Sequence, residues 1–483
     1  MKRILTIQII IILCLAAPAL AQWSTPVRIS EPGGIDHPQI LAQGDTLHVV
    51  FMHSGSGRNI GYLRSSDAGI TWSQEVELTN NNVSYADYPR ILILGSDLMA
   101  IFGVDLYPSF RRYNIGYCIS HDNGVTWSGP IYIFSRNWDL MGQVSATNLD
   151  STVTVIFKAN MNPGVSYFAI RSTDFGATWS DTLRLFMVDG SSVPDQAAGN
   201  GIVHYAWGGR FVFGVPYDVY YIRSTDGGLT WSENAPISQV DGYISNRPAL
   251  AVDEAGNPAI SWWDFKYSPY QTTGDILSRW SLDLGWNWLL ENQVTQDHFA
   301  DFSDISWVGD TIRIVWQDWR FEGTTIYYTS AYDGDGIWSQ EQRLEDSPDW
   351  STDPAIAASN GRVYVVWDGA IEEYGLYFTR YPAEPDAIEE GELADKCEGL
   401  RAYPNPFNSN VSIGYSIQHE EGGQLTIYSI EGRKIKTFNL RGKEGQIEWD
   451  ARDAKGKQVS SGIYFVKAEA FQESYLIKVL YLK

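Results

Sequence analysis

Cysteine is almost absent from this chain: Cys14, Cys118 and Cys397 are the only three in 483 residues. A disulfide-stapled scaffold is thereby excluded, since at most one bridge can form once Cys14 is removed with the leader, and Cys118 and Cys397 are expected as free thiols. Positive charge is also scarce, with 35 Lys and Arg against 58 Asp and Glu for a formal charge of −23. Nucleic acid and anionic membrane surfaces are poor partners for such a chain. Beyond the first twenty residues no apolar run is long enough to span a bilayer. There is no H-E-x-x-H, no G-x-S-x-G and no phosphate-cradling glycine loop, so zinc hydrolysis, nucleophile-elbow chemistry and nucleotide binding have no motif to rest on. No cofactor and no metal site are expected. Asp333-Gly334-Asp335-Gly336 lacks the glutamate spacing of a calcium loop.

Aromatic residues and glycine are plentiful, with 19 Trp, 28 Tyr and 44 Gly, which favours strands and turns over helices. The first 21 residues have Lys2-Arg3, an apolar run from Ile4 to Leu15 and Ala19-Leu20-Ala21 before Gln22, the pattern of a secretory signal peptide. Its removal takes the formal charge to about −25.

The rest of the chain is organised around one repeated phrase. Ser224-Thr225-Asp226-Gly227-Gly228-Leu229-Thr230-Trp231 has the form S-x-D-x-G-x-T-W, repeated at Ser65 to Trp72, Ser120 to Trp127 and Ser172 to Trp179. Worn copies stand at Ser281 to Trp288 and Ser330 to Trp338. A period of about fifty residues signals a propeller or a solenoid. Chemically the phrase is a hairpin clasp: the carboxylate accepts turn amides, glycine takes a corner with φ > 0, and Trp buries its ring. A carboxylate needed by every unit reads as structural rather than catalytic.

Two further columns run in step with the boxes. Phe51, Phe102, Phe157, Trp207, Trp262, Trp316 and Trp367 each end an apolar strand, and His37, Tyr88, Met141, Asp195, Arg247, Asp304 and Asp353 open the strand before it. Seven positions in each column predict an all-β, seven-bladed β-propeller over residues 22–382. The last unit lacks a fourth strand, and Trp23-Ser24-Thr25-Pro26-Val27-Arg28 reads like the strands that come after the boxes. The N-terminal strand is therefore expected to complete the seventh blade and close the ring. Residues 383–400 read as an acidic linker. Residues 401–483 alternate in short strands, the pattern of a small Ig-like β-sandwich.

The repeated phrase resembles the Asp box, or BNR repeat, of the sialidase-like β-propellers. That resemblance implies a box on the turn between third and fourth strands, on the face away from the ligand. The C-terminal segment resembles the sorting domain of type IX secretion. The residues that carry this likeness are Tyr403-Pro404-Asn405-Pro406-Phe407-Asn408, Ile427-Tyr428, Glu431-Gly432, Trp449-Asp450, Asp453, Gly456, Ser461-Gly462-Ile463-Tyr464 and Lys478-Val479-Leu480. It implies engagement of the type IX machinery and delivery outside a Gram-negative cell.

The default ligand site of a propeller is the mouth where inner strands converge. His37, Tyr88, Asp195, Arg247, Asp304 and Asp353 are expected to ring it, with Asp36, Asp87 and Asn246 beside them and Arg90 one step deeper. Loops after the second strands add His53, Asp105, Lys158, Arg210, Asp264, Asp318 and Arg320. A sialidase-type glycoside hydrolase needs three arginines for a carboxylate, a tyrosine nucleophile with a carboxylate base, and an acid. Catalytic candidates are then Tyr88, Arg90, Asp195, Arg247, Asp304 and Arg320, with His37, Asp87, Asn246 and Asp353 as ligand contacts. The family's Arg-Ile-Pro signature is replaced here by Tyr88-Pro89-Arg90-Ile91. The other reading, which leads, is a secreted or surface propeller that binds an extracellular glycan or protein without hydrolysing it.

Overall fold

In the computed structural model the chain forms two compact units, Met1–Ala383 and Glu384–Lys483. The structure describes residues 22–54, 58–79, 85–105, 113–134, 140–161, 164–268, 273–296, 299–320, 323–334, 336–345, 350–371, 373–382, 399–403, 407, 409–416, 423–429, 433–470 and 473–481. The expected signal peptide, Cys397 and almost all of the expected linker lie outside these residues. Every described element is a strand, and none of the described residues forms a helix able to cross a membrane.

The first unit is a succession of antiparallel sheets of consecutive strands. The first sheet runs Gly34–Gln43, Thr46–Ser54, Ile60–Ser65 and Val76–Glu77, innermost strand first. The innermost strands of the later sheets are Tyr85–Leu94, Leu140–Leu149, Asp195–Gly199, Ser245–Val252, Ala300–Val308 and Ser351–Ser359. Each neighbours the next, and the last returns to the first, so the inner strands close a ring. The last sheet takes its outer strand from the other end of the chain: Val27 pairs with Phe378 and Arg28 with Tyr377.

A sheet in such a ring is buried on both faces, which is why second strands such as Thr46–Ser54 read as continuous apolar runs. Each apolar cluster lies between one sheet and the next. Val50, Met52 and Tyr62 of the first sheet meet Ile91, Phe102 and Val104 of the second, and Phe51 and Leu63 meet Val366 and Phe378 of the last. The aromatic column supplies the largest pieces. Phe51, Phe102, Phe157, Trp207, Trp262, Trp316 and Trp367 are all at most 1% exposed, each facing the preceding sheet.

The repeated phrase folds as a clasp on the turn after the third strand in the first five sheets, at the end opposite the starts of the inner strands. In the first copy Asp67 accepts the Thr71 amide at 2.9 Å and its hydroxyl at 2.6 Å, while Ser65 Oγ donates to Asp67 at 2.7 Å and accepts the Gly69 amide. Asp122, Asp174, Asp226 and Asp283 repeat the pattern, the last with Asn287 in place of Thr. These donors hold the Asp122 and Asp174 carboxyls down at about 2. The box tryptophan reaches back to the preceding sheet, Trp127 onto Tyr62 at 4.8 Å and Trp72 onto Phe378 at 5.0 Å. The clasp therefore joins neighbouring sheets as well as closing its own turn.

In the second unit, Gly399–Tyr403, Val411–Ser416 and Glu444–Trp449 form one sheet, and Gly423–Ser429, Lys434–Leu440, Gly462–Ala470 and Glu473–Tyr481 another. Both contribute to one core in which Phe407, Trp449, Tyr464 and Tyr481 are in ring contact. Asp453 accepts the amides of Lys455 and Lys457, making the stretch around it a hairpin turn. Residues 404–406, 408, 431 and 432 of the sorting-domain pattern lie outside the described residues.

A candidate site at the channel mouth

The inner strands share a local defect at the mouth. Their register slips between Asp36 and Gln39, Asp87 and Arg90, Asn246 and Ala249, Asp301 and Asp304, and Thr352 and Ala355. In each bulge the second residue is left-handed: His37 at φ 50°, Tyr88 at 49°, Arg247 at 52°, Phe302 at 44° and Asp353 at 50°. For residues with a side chain this costs roughly 1–3 kcal/mol each. The sequence supplies the remedy. In three of the five the preceding Asp or Asn accepts the left-handed residue's own amide: Tyr88 N–H donates to Asp87 at 2.8 Å, Arg247 N–H to Asn246 at 3.0 Å and Phe302 N–H to Asp301 at 2.8 Å, while the His37 and Asp353 amides donate to Asp353 and Gln317. The next residue is proline in four of the five, where a missing N–H leaves no ladder bond unmade. The bulge re-aims these side chains over the channel.

This places the predicted ring on two levels. His37, Tyr88, Arg247 and Asp353 form the upper one, where Phe302, absent from the expected set, takes the sixth sheet's position. Asp304 and Asp195 sit two residues further along, on the level of Arg90. Their partners across the strand, Val315, Ala206 and Ile101, all stand one residue before a column aromatic. Val193 and Gln143 line the mouth for the fourth and third sheets. The side chain of Met141 is outside the described residues.

The cavity has a volume of 480 Å³, and His37, Tyr88, Arg90, Asp195, Asn246, Arg247, Asp304 and Asp353 all line it. Tyr217, Gln143 and Phe302 join them. Asp87 stands behind, accepting from His37 Nδ1 at 3.0 Å and from the Tyr85 hydroxyl. The His37 and Tyr88 rings stack at 4.1 Å, and Gln143 Nε2 donates to the Tyr88 hydroxyl at 3.0 Å. Arg247 lies over the Phe302 ring at 3.5 Å, with its guanidinium 3.2 Å from Asp301. On the lower level Arg90 meets Asp195 at 3.2 Å; Asp195 also accepts the Leu250 amide and Asp304 the Ile356 amide, both at 2.9 Å. These carboxylates satisfy inner-strand amides of the next sheet that face the channel and have no ladder partner.

Burial, with the Asp195 charge beside it, pushes the Asp304 carboxyl up to about 7. Burial likewise raises Asp195 against the pull of Arg90, and raises the Tyr88 phenol. For His37 burial opposes the charged form, yet the Asp87 hydrogen bond and the Asp353 charge outweigh it and its pKa rises.

Arg320 is not at the mouth. Its guanidinium is held by Asp318 at 2.7 and 2.8 Å and by Glu341 at 2.8 Å, and lies over the Tyr327 ring. Asp318 is 2% exposed and also accepts the Trp316 indole N–H, so the arginine neutralises a buried carboxylate and is fixed in the wall of its own sheet. Other expected loop contributors have similar structural duties: Asp264 accepts from Ser245, Trp262 and Lys266, His53 pairs with Glu75, and Arg210 pairs with Asp189. Buried Lys158, pushed down to about 7 by desolvation, donates to the Ser192 carbonyl beneath the rim. Cys118 is a buried thiol between the first two sheets. Among the described residues no three His, Cys, Asp or Glu side chains are grouped to hold a metal ion.

Among known proteins, residues 401–481 match the secretion system C-terminal sorting domain. No curated protein matches the chain. Of solved structures, an ulvan lyase of a polysaccharide lyase family aligns with a TM-score of 0.53 at 12% identity, covering 73% of this chain and 95% of its own. A protein of unknown function from Dyadobacter fermentans covers 74% of this chain and 98% of its own at 12% identity and a TM-score of 0.48. A Trypanosoma rangeli sialidase mutant covers 94% and 86% at 12% identity and a TM-score of 0.44. The sorting domain marks the chain for type IX secretion, to the medium or the outer surface of a Gram-negative cell. The chain is a β-propeller followed in sequence by a secretion-system C-terminal sorting domain.

Proposed function

We propose that this is a secreted seven-bladed propeller, closed by its N-terminal strand, that binds an extracellular saccharide at its channel mouth without hydrolysing it. In this reading residues 1–21 are the signal peptide, residues 22–382 the propeller with its Asp-box repeats, 383–400 a linker, and 401–483 an Ig-like sandwich read by the secretion machinery. The observation that carries the binding role is the state of the arginines. Arg90 is paired with Asp195, Arg247 with Asp301, and Arg320 is engaged away from the cavity. Among the described residues no three guanidinium forks converge to take a carboxylate. Tyr88 receives a hydrogen bond from Gln143 rather than giving one to a carboxylate base, and burial raises its phenol, the reverse of an activated nucleophile.

What the mouth offers instead is a stacked His37–Tyr88 pair, the Phe302 ring and a rim of carboxylate and amide groups, in a cavity of monosaccharide to disaccharide scale. Flat apolar faces beside hydrogen-bonding groups suit the mixed surface of a neutral sugar. A related fold in the ulvan lyase handles a polysaccharide.

Exo-acting hydrolysis is the second reading, favoured by one observation: Asp304, held up to about 7 beside Asp195, has the protonation of a general acid. Affinity electrophoresis of the full chain in gels of arabinan, xylan and β-glucan, with Phe302→Ala and Tyr88→Ala as controls, tests the proposal. Retardation of the native chain that both variants lose supports it; retardation unchanged in both moves the site elsewhere.

A further inference from the structure

The face that carries the mouth also exposes a tryptophan pair that the mouth does not use. Trp319 comes after the second strand of the sixth sheet and Trp350 precedes the inner strand of the last, so the two lie at the junction of these sheets. Their rings meet edge to face, centroids 5.4 Å apart at 82°, yet Trp319 stays 39% and Trp350 53% exposed. Phe299, 41% exposed, is tied to the pair through its carbonyl, which accepts the Trp319 amide at 3.1 Å. Tryptophans elsewhere in the ring columns are sealed between sheets, so two adjacent exposed indoles in one place are not a by-product of the blade core.

Position along the strands connects this patch with the mouth. Phe299 is three residues before Phe302 and Trp350 three before Asp353, about 10 Å of strand in each case. We infer that Trp319 and Trp350 form an outer subsite for the same ligand, so that the protein takes a neutral polysaccharide chain running from the channel mouth to the junction of the sixth and last sheets, rather than a single terminal sugar. This rests on the saccharide-binding reading of the mouth. The charge pattern selects the class of polymer. Arg320, next in sequence to Trp319, is held by Asp318 and Glu341, Arg247 at the mouth is paired with Asp301, and the chain as a whole is strongly acidic, so among the described residues the rim offers a polyanionic glycan little counter-charge. Indole faces at right angles offer one flat platform and one edge, a geometry that holds a sugar face without needing charge.

The test uses the full chain in affinity gels of arabinan, xylan and β-glucan, comparing it with Trp319→Ala, Trp350→Ala, Trp350→Phe and the mouth variant Phe302→Ala. The indoles are exposed, so the alanine variants are expected to fold, checked by their melting temperatures. The inference predicts retardation weakened about tenfold by either alanine variant and largely kept by Trp350→Phe, with inhibition by long oligosaccharides far exceeding that by the monosaccharide. If Phe302→Ala abolishes retardation while both tryptophan variants bind as the native chain does, the outer subsite is overturned and the mouth reading stands. If the tryptophan variants lose binding and Phe302→Ala does not, the mouth reading fails and the rim binds alone. Absence of retardation on all three gels overturns both.

Discussion

Arg90 on the second sheet and Asp195 on the fourth reach past the third to form an ion pair of 3.2 Å on the floor of the channel mouth, with the carboxyl of Asp304 close enough for their charges to interact. Two carboxyls and one guanidinium leave a charge to be settled, and burial settles it by protonating Asp304. A carboxyl whose folded pKa is about 7, against about 4 unfolded, keeps a proton that the unfolded chain loses, so stability falls as pH rises through that window. Asp304→Asn keeps an acceptor for the Ile356 amide and removes the penalty. It is expected to stabilise by about 1–3 kcal/mol at pH 8 and by little near pH 4, measured by urea unfolding at both. Equal effects at the two pH values would refute the protonated carboxyl.

Arg320→Ala leaves Asp318 buried beside the Trp316 indole with its countercharge gone. A loss of about 3–5 kcal/mol in unfolding free energy is expected, as for other half-broken buried pairs. Saccharide retardation, measured at a temperature where the variant is folded, should be unchanged. A folded variant that no longer binds would return Arg320 to the site.

The clasp is tested at its glycine. Gly124 sits at φ 84°, and a Cβ there would collide with the Tyr62 hydroxyl, which is bonded to His48 Nδ1 at 2.8 Å. Gly124→Ala is expected to cost about 2–4 kcal/mol through backbone strain and overpacking together. Gly129→Ala, in the link between the same clasp and the strand Ile131–Tyr132 with nothing within 4 Å, is the silent control in the same denaturation series.

His37 should titrate above its usual 6.5 in the folded chain, since Asp87 and Asp353 outweigh its burial. Its contribution to stability is then present below 6.5 and lost as pH rises through the folded value. Imidazole proton resonances tracked against pH report the value directly. Asp87→Asn is expected to lower it, and a pKa unmoved by that change would assign the shift to another group.

Local chemistry is legible in the sequence, and chemistry that depends on register is not. The clasps can be read because Ser65, Asp67, Gly69 and Thr71 satisfy one another within seven residues. The pairing of Val27 with Phe378 can be read because the last unit lacks a strand that the first residues resemble. The levels of the mouth cannot. A bulge adds residues that a period of two does not count, and a plain count sets Asp195 and Asp304 two positions too high, beside His37 and Arg247. The signal that corrects this is the pair of residues at each bulge: Asp301-Phe302 repeats Asp87-Tyr88, and Val193-Pro194 repeats His37-Pro38. Arg320 reads as a mouth residue because its loop leads there, whereas Asp318, two residues away, turns it into the wall.

Whether the mouth binds without hydrolysing is decided by release of a fluorescent aglycone from a sialoside and from neutral glycosides, with binding to neutral polysaccharide measured on the same preparation and Arg247→Ala beside the native chain. Polysaccharide binding with no turnover of the sialoside is expected. Sialoside turnover that disappears in Arg247→Ala would contradict the binding role, and would mean that the mouth arginines leave their aspartate partners to hold a substrate carboxylate.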